Sequence, residues 1–338
     1  MEVYYHGNFW GHYTDEPAGK EITLHHQFHW NGRTWRIPAV YVCTSGIVVN
    51  YCIRIPNPEI ERFLEKWEEK AESRRLTAEE EEQIERENPL CLHAFTDLTV
   101  NGIPLERNNG CGNTWYPAHK QFTDEQVTEE LMEAYHCDRS DGWYFSRETF
   151  AWPDGLNADT VLHSLAFHLH TVPTAHPNAH FVTEDGNFPK EIRLIHPNTH
   201  QEHLLHIHAC EPDTLPEEVF ASEVFQNQEA TEFPTHFQKL TYTLFPALSA
   251  EEFCIRDCAP CDPPRKPRTE SCLSDSAYQI MEAQDDGPTA VYFALPKPML
   301  GVPSSLHFAP VTHVEWRTIF YYKECEDITI ELKPFSQN

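Results

Sequence analysis

No stretch of this chain approaches the ~20 apolar residues that carry a helix across a membrane. Its opening residues, Met1-Glu2-Val3-Tyr4-Tyr5-His6, lack both the basic cap and the apolar core of a secretory leader. The sequence therefore reads as cytoplasmic. Positive charge is also scarce: 25 Lys and Arg stand against 53 Asp and Glu, a formal net charge of −28. Such a surface repels phosphate backbones and anionic lipid alike, so neither nucleic acid nor bare membrane is an expected partner. The 21 histidines would offset most of that charge if protonated, and solubility is expected to fall in mild acid. A Walker lysine, the third glycine of a dinucleotide loop and a G-x-S-x-G elbow are all absent, which excludes the commonest cofactor and hydrolase signatures.

A length of 338 residues corresponds to about two domains at ~150 residues each, enough to bury cores without staples. The 11 cysteines are an odd set scattered over the whole chain. That pattern suits free thiols in a reducing compartment rather than a disulfide framework.

Periodicity predicts a mainly β protein, α+β overall, with an antiparallel meander, β-sandwich-like sheets and about three helices in the N-terminal half. Ile22 to Trp30 alternates, Asn31-Gly32 signals a tight hairpin, and Arg33 to Arg36, Ala39 to Cys43 and Gly46 to Ile55 continue as strands. Asn57-Pro58 then opens an amphipathic helix carrying Ile60, Phe63, Leu64, Trp67 and Ala71 at helical spacing. Thr77 to Glu80 is a capping box for a second helix whose main apolar residue is Ile84, so it is expected to project into solvent. A third is capped by Thr123 to Gln126, stapled by Phe122 and Val127, and buries Leu131 and Tyr135.

From Thr160 the pattern is strands: Val161 to Thr171, His180 to Thr183, Glu191 to Ile195, His203 to Cys210, then Lys239 to Phe245, Thr289 to Leu295, Val311 to Lys323 and Asp327 to Leu332. The predicted organisation is an antiparallel β domain with inserted helices over 1–155 and a β-sandwich-like domain over 156–338. The divide is placed at Pro153-Asp154-Gly155.

Ten histidines fall between His163 and His208, and two strands there each carry a His-x-His pair, His168 with His170 and His206 with His208. Alternation points both members of a pair the same way, and the apolar neighbours Leu165, Phe167, Leu169, Leu205 and Ile207 put both pairs on outward faces. A Greek key that sets the two strands side by side would gather four imidazoles as ligands for zinc or another divalent transition metal. A solvated histidine-rich face is the competing explanation, as it is for His25 and His29.

Cys254-Ile-Arg-Asp-Cys258-Ala-Pro-Cys261 has a C-x₃-C-x₂-C spacing that resembles the iron–sulfur motif of radical S-adenosylmethionine enzymes. Its late position in a β-rich chain, with Pro260 before the third cysteine, sets it apart from that family. With Cys272 as a fourth thiolate, Cys254, Cys258 and Cys261 could instead hold a structural zinc; otherwise they are free thiols near a proline-rich loop. Cys111, between Gly110 and Gly112, faintly resembles a papain-like nucleophile's neighbourhood, but the position before Trp115 is Thr114 and the better reading is a glycine turn.

Ser304-Ser-Leu-His-Phe-Ala-Pro-Val-Thr-His-Val-Glu-Trp-Arg317, together with Asp286-Gly-Pro-Thr-Ala-Val291, resembles stretches of an uncharacterised family of proteins from Firmicutes gut bacteria. That resemblance implies no activity. With no complete catalytic constellation, the expected function is binding, of a protein or a small polar ligand, through loops and exposed aromatics. The alternative is a metal-dependent hydrolase built on the His-x-His pairs, with a metal-bound water as nucleophile.

Overall fold

The computed structural model describes residues 1–73, 76–117, 125–216, 232–265 and 300–332. The chain is mainly β and divides into two compact units, Met1–Leu76 with Glu80–Ala175 and Tyr322–Asn338, and Thr77–Glu79 with His176–Tyr321.

The first unit holds β1 (Lys20–Trp30), β2 (Arg33–Val42), β3 (Gly46–Ile55), α1 (Asn57–Ser73), α2 (Ala78–Glu87, except its first two residues, which belong to the second unit), β4 (Ala94–Val100), β5 (Ile103–Trp115), α3 (Glu125–Ala134), β6 (Gly142–Ala151), β7 (Leu165–Thr171) and, from the end of the chain, β15 (Ile328–Glu331). They form one antiparallel sheet in the order β1-β2-β3-β6-β5-β4-β7-β15. The expected opening meander is its first three strands. Asn31-Gly32 and Asn101-Gly102 close the β1–β2 and β4–β5 hairpins, all four residues having positive φ, as the turns that match strand twist require.

The sheet curls. Ile22, Leu24 and Phe28 from one edge strand and Ile328 and Ile330 from the other pack on the same buried cluster, and the Trp30 indole N–H donates to the Glu326 carbonyl at 2.8 Å. Inside, Trp35 lies 5.3 Å from Trp30, 6.0 Å from Phe28 and 5.4 Å from Tyr51, whose ring is 5.7 Å from Phe167. The expected divide at Pro153-Asp154-Gly155 falls inside this unit, between β6 and β7, because β7 and β15 complete the wall around that aromatic core.

The outer face is covered locally. Val3 and Tyr5 pack with Tyr41 and Val48, and α3 lays Leu131, Met132 and Tyr135 on Cys52, Trp143 and Phe145. Helix α1 buries Ile60 and Trp67, while α2 buries nothing, as its lone apolar Ile84 predicts. Phe122 and Thr123, the expected staple and cap of α3, lie outside the described residues.

The second unit contains β8 (Thr174–Glu184) from its third residue on, β9 (Glu191–Ile195), β10 (Glu202–Thr214), β11 (His236–Phe245), β12 (Phe253–Asp257), β13 (Leu300–Pro303) and all but the last residue of β14 (His313–Tyr322). Two sheets result, β13-β11-β10-β9 and β12-β14-β8. They face one another: Tyr242 of β11 meets Phe253 of β12 edge-on at 6.3 Å, His196 and His203 flank Phe320 of β14, and Cys210 Sγ lies 3.4 Å from Thr183 Oγ1. This is the β-sandwich-like arrangement expected of the second half. The expected strand Thr289 to Leu295 lies outside the described residues. Among those described, no helix is long and apolar enough to cross a membrane.

Candidate metal centre

In the three-stranded sheet, alternation decides which side chains meet. Val314, Trp316 and Phe320 of β14 and Phe181 and Thr183 of β8 are buried, which turns Glu315 and His180 to the opposite face. Cys258 follows β12 directly, and its backbone N–H donates to the Glu315 carbonyl at 2.9 Å, extending the Asp257–Trp316 register by one residue. Three adjacent strands thus bring an imidazole, a thiol and a carboxylate together.

His180 Nδ1 is 3.1 Å from Glu315 Oε1 and 3.7 Å from Cys258 Sγ, and all three ligand atoms lie within 4.8 Å of one another. Zinc bonds of ~2.3 Å to sulfur and ~2.0 Å to nitrogen or oxygen, at tetrahedral angles, imply ligand–ligand spacings of about 3.3 to 3.6 Å. The two spacings at Nδ1, 3.1 and 3.7 Å, come close to those values before any ion is placed, and the third is within 4.8 Å. Among the described residues it is the one group of three or more His, Cys, Asp and Glu side chains that converges in this way.

Electrostatics favour a cation there. Burial first, and the Glu315 carboxylate second, push the Cys258 thiol up to about 11, with Asp257 and Glu79 adding to the effect and Arg317 opposing it. A nucleophilic cysteine needs the reverse, a lowered pKa and an imidazole free to take its proton. Here the thiol is raised and shares Nδ1 with the Glu315 carboxylate, which is the reverse of an activated nucleophile. A divalent ion would instead release the thiol proton, and one thiolate plus one carboxylate would neutralise it.

A scan of protein-family models finds no match to this chain, and searches of curated proteins and of solved structures likewise find none.

The two His-x-His pairs lie on strands of different sheets. His168 and His170 lie on β7, whose neighbours are β4 and β15; His206 and His208 lie on β10, whose neighbours are β9 and β11. The adjacent-strand arrangement is corrected accordingly: the strands belong to different sheets in different units, and no Greek key joins them. Their outward orientation agrees with the sequence. Each imidazole is also engaged locally. His168 contacts Thr99 Oγ1 at 2.7 Å and Thr329 Oγ1 at 2.9 Å. His170 lies between Asp97 (3.3 Å) and Asp327 (3.0 Å) and stacks on Phe95. Lys323 foremost, with His170 and the Thr171 N–H, holds the Asp327 carboxyl well below the usual range. His206 Nδ1 is 3.3 Å from Glu191, and His208 Nε2 is 3.0 Å from Thr243 Oγ1.

The cysteine run is likewise dispersed. Cys254 and Cys258 are separated by four residues of extended chain, about 13 Å at strand rise, too far to share one ion. Cys254 Sγ meets the Tyr321 hydroxyl at 3.7 Å and Cys261 Sγ accepts the Leu306 N–H at 3.3 Å, so of the three only Cys258 joins the cluster. Cys272 lies outside the described residues, as does the 286–291 segment. The 10 described cysteines are free thiols.

Sequence reasoning missed His180 and Glu315. Their outward orientation was readable from alternation, but nothing local announces that β8 pairs with a strand about 130 residues later.

Proposed function

We propose that this protein binds a divalent transition metal, zinc by the chemistry of the donors, through His180, Cys258 and Glu315. The observation that carries the reading is the convergence of Nδ1, Sγ and Oε1 from three neighbouring strands. One soft, one borderline and one hard donor suit zinc, which accepts all three; calcium and magnesium prefer an all-oxygen shell. The strand framework gives the ligands fixed positions, so the ion is not needed to fold a disordered loop. Its role is binding or reaction at the ion rather than stapling.

The centre replaces the four-histidine site as the place where a metal-based function resides, and a protein or small polar ligand remains a fitting partner for a partly exposed ion. The test is elemental mass spectrometry on untagged protein that has never met an immobilised metal. One equivalent of zinc is expected in the wild type, with Cys258→Ser and His180→Ala retaining little and Cys261→Ser retaining all of it. Equal zinc in wild type, Cys258→Ser and His180→Ala, or none in the wild type after reconstitution and dialysis, overturns the proposal.

A further inference from the structure

The two nitrogens of the His180 ring have different surroundings. Nδ1 faces Cys258 and Glu315, whereas Nε2, on the diverging side of the ring, faces Glu79 Oε1 at 3.7 Å. Glu79 belongs to the same unit as the three ligands and is partly exposed, with 42% of its side chain accessible. An ion bound at Nδ1 lies on the opposite side of the imidazole from this carboxylate, so Glu79 cannot complete the same coordination shell. It can accept a hydrogen bond from Nε2–H once a small side-chain rotation closes the few tenths of an ångström beyond normal hydrogen-bond length.

We infer that Glu79 is the outer positioning carboxylate of the centre, holding His180 as the Nε2–H tautomer so that Nδ1 binds the ion, and that the fourth coordination position is left to water or an added ligand. The inference rests on the metal-binding reading above. Metal-bound histidines almost always donate their second N–H to a carboxylate, carbonyl or water, which fixes the ring and raises its basicity. The Glu79–His180 pair supplies that carboxylate from a helix, while the ligands come from the sheet. The described residues supply three ligands, and three protein ligands with an open fourth position is the pattern of zinc sites that exchange small ligands, whereas purely structural sites are closed by four. With Cys258 and Glu315 both ionised, bound zinc carries no net charge, so the fourth position suits water or a neutral or singly anionic donor.

The test uses the full chain with ¹⁵N-labelled histidine, loaded with zinc. The His180 resonances are identified by their loss in His180→Gln, and zinc affinity is measured by chelator competition. In the wild type His180 is expected to be zinc-bound through Nδ1 with a protonated Nε2. Glu79→Gln should weaken zinc binding by about 10- to 100-fold, with Glu79→Asp recovering part of the loss and the melting temperature of the zinc-free protein unchanged in both. Cobalt substituted for zinc should show a thiolate charge-transfer band, and its visible spectrum should shift when azide is added. Zinc bound through Nε2, an unaltered affinity in Glu79→Gln, or a cobalt spectrum insensitive to azide overturns this inference alone. A wild-type chain that holds no zinc overturns the metal reading and this inference with it.

Discussion

His196 and His203 show what burial does to single residues in the second unit. Their ring centroids are 6.4 Å apart and both rings lie against Phe320. His196 Nδ1 accepts the backbone N–H groups of Asn198 and Thr199, each at 3.2 Å, so that nitrogen carries no proton in the folded state. His203 Nδ1 donates to the Pro246 carbonyl at 2.8 Å, and its buried Nε2 has no hydrogen-bond partner among the described residues. Burial first, and His203 second, lower the His196 pKa from its usual 6.5, with Glu252 acting weakly in the opposite sense. The unfolded chain therefore takes up the proton more readily, so the stability of the neutral ring is intact above about pH 6.5 and is lost as pH falls below it. Amide protection factors in β10 and β14, with the intrinsic pH dependence of exchange divided out, are expected to fall from pH 7 to 5. His196→Asn, which keeps an acceptor for the turn but does not titrate, should flatten that dependence. An equal slope in the variant would assign the acid sensitivity elsewhere.

At the scale of elements, the α1–α2 pair is held by charge rather than by a core. The Glu87 carboxylate accepts from Lys66 Nζ at 2.7 Å, the Trp67 indole N–H at 3.0 Å and Gln83 Nε2 at 2.7 Å. Burial works to raise the Glu87 pKa, but Lys66, Gln83 and Trp67 together draw it down to about 2. A depressed carboxyl contributes stability that is present above its unfolded value of about 4.5 and disappears as pH falls toward 2. Glu87→Gln is expected to destabilise the helix pair at pH 7 by about 1 kcal/mol, since both partners are partly exposed and screened. Limited proteolysis between the helices should register that change at pH 7 and not at pH 2.5; no difference at pH 7 would remove Glu87 as the fastener. The helices themselves were legible because each carries its own signals: Asn57-Pro58 at one start, the apolar spacing of Ile60 and Trp67, and the solitary Ile84 that leaves α2 unburied. The hairpin at Asn31-Gly32 was legible for the same reason, since only a few residues tolerate positive φ at both turn positions. Strand pairing over long separations has no such local signature. Hence the orientation of His168, His170, His206 and His208 was readable and their membership of different sheets was not, and Cys258 was singled out while its partners were sought among cysteines.

At the scale of the whole molecule, the two units rest on different cores. In the first, Trp35 is 1% exposed at the centre of a ring stack, and truncation there leaves a cavity that the surrounding rings cannot fill. Trp35→Ala is expected to cost about 3 to 5 kcal/mol. Trp35→Phe should cost much less, because the indole N–H it removes has no hydrogen-bond partner among the described residues. Chemical denaturation followed by tryptophan fluorescence checks both, and equal costs would show that the ring stack is not what holds the curled sheet. The second unit keeps its inner faces apolar and turns His180, Cys258 and Glu315 outward, so the metal centre sits on a framework that does not depend on it. The most direct measurement is anomalous X-ray diffraction at the zinc edge from crystals of the untagged protein grown with stoichiometric zinc. A single strong peak about 2.0 to 2.3 Å from His180 Nδ1, Glu315 Oε1 and Cys258 Sγ is the predicted result. A peak at His206 and His208 instead, or no ordered zinc anywhere on the chain, would contradict it.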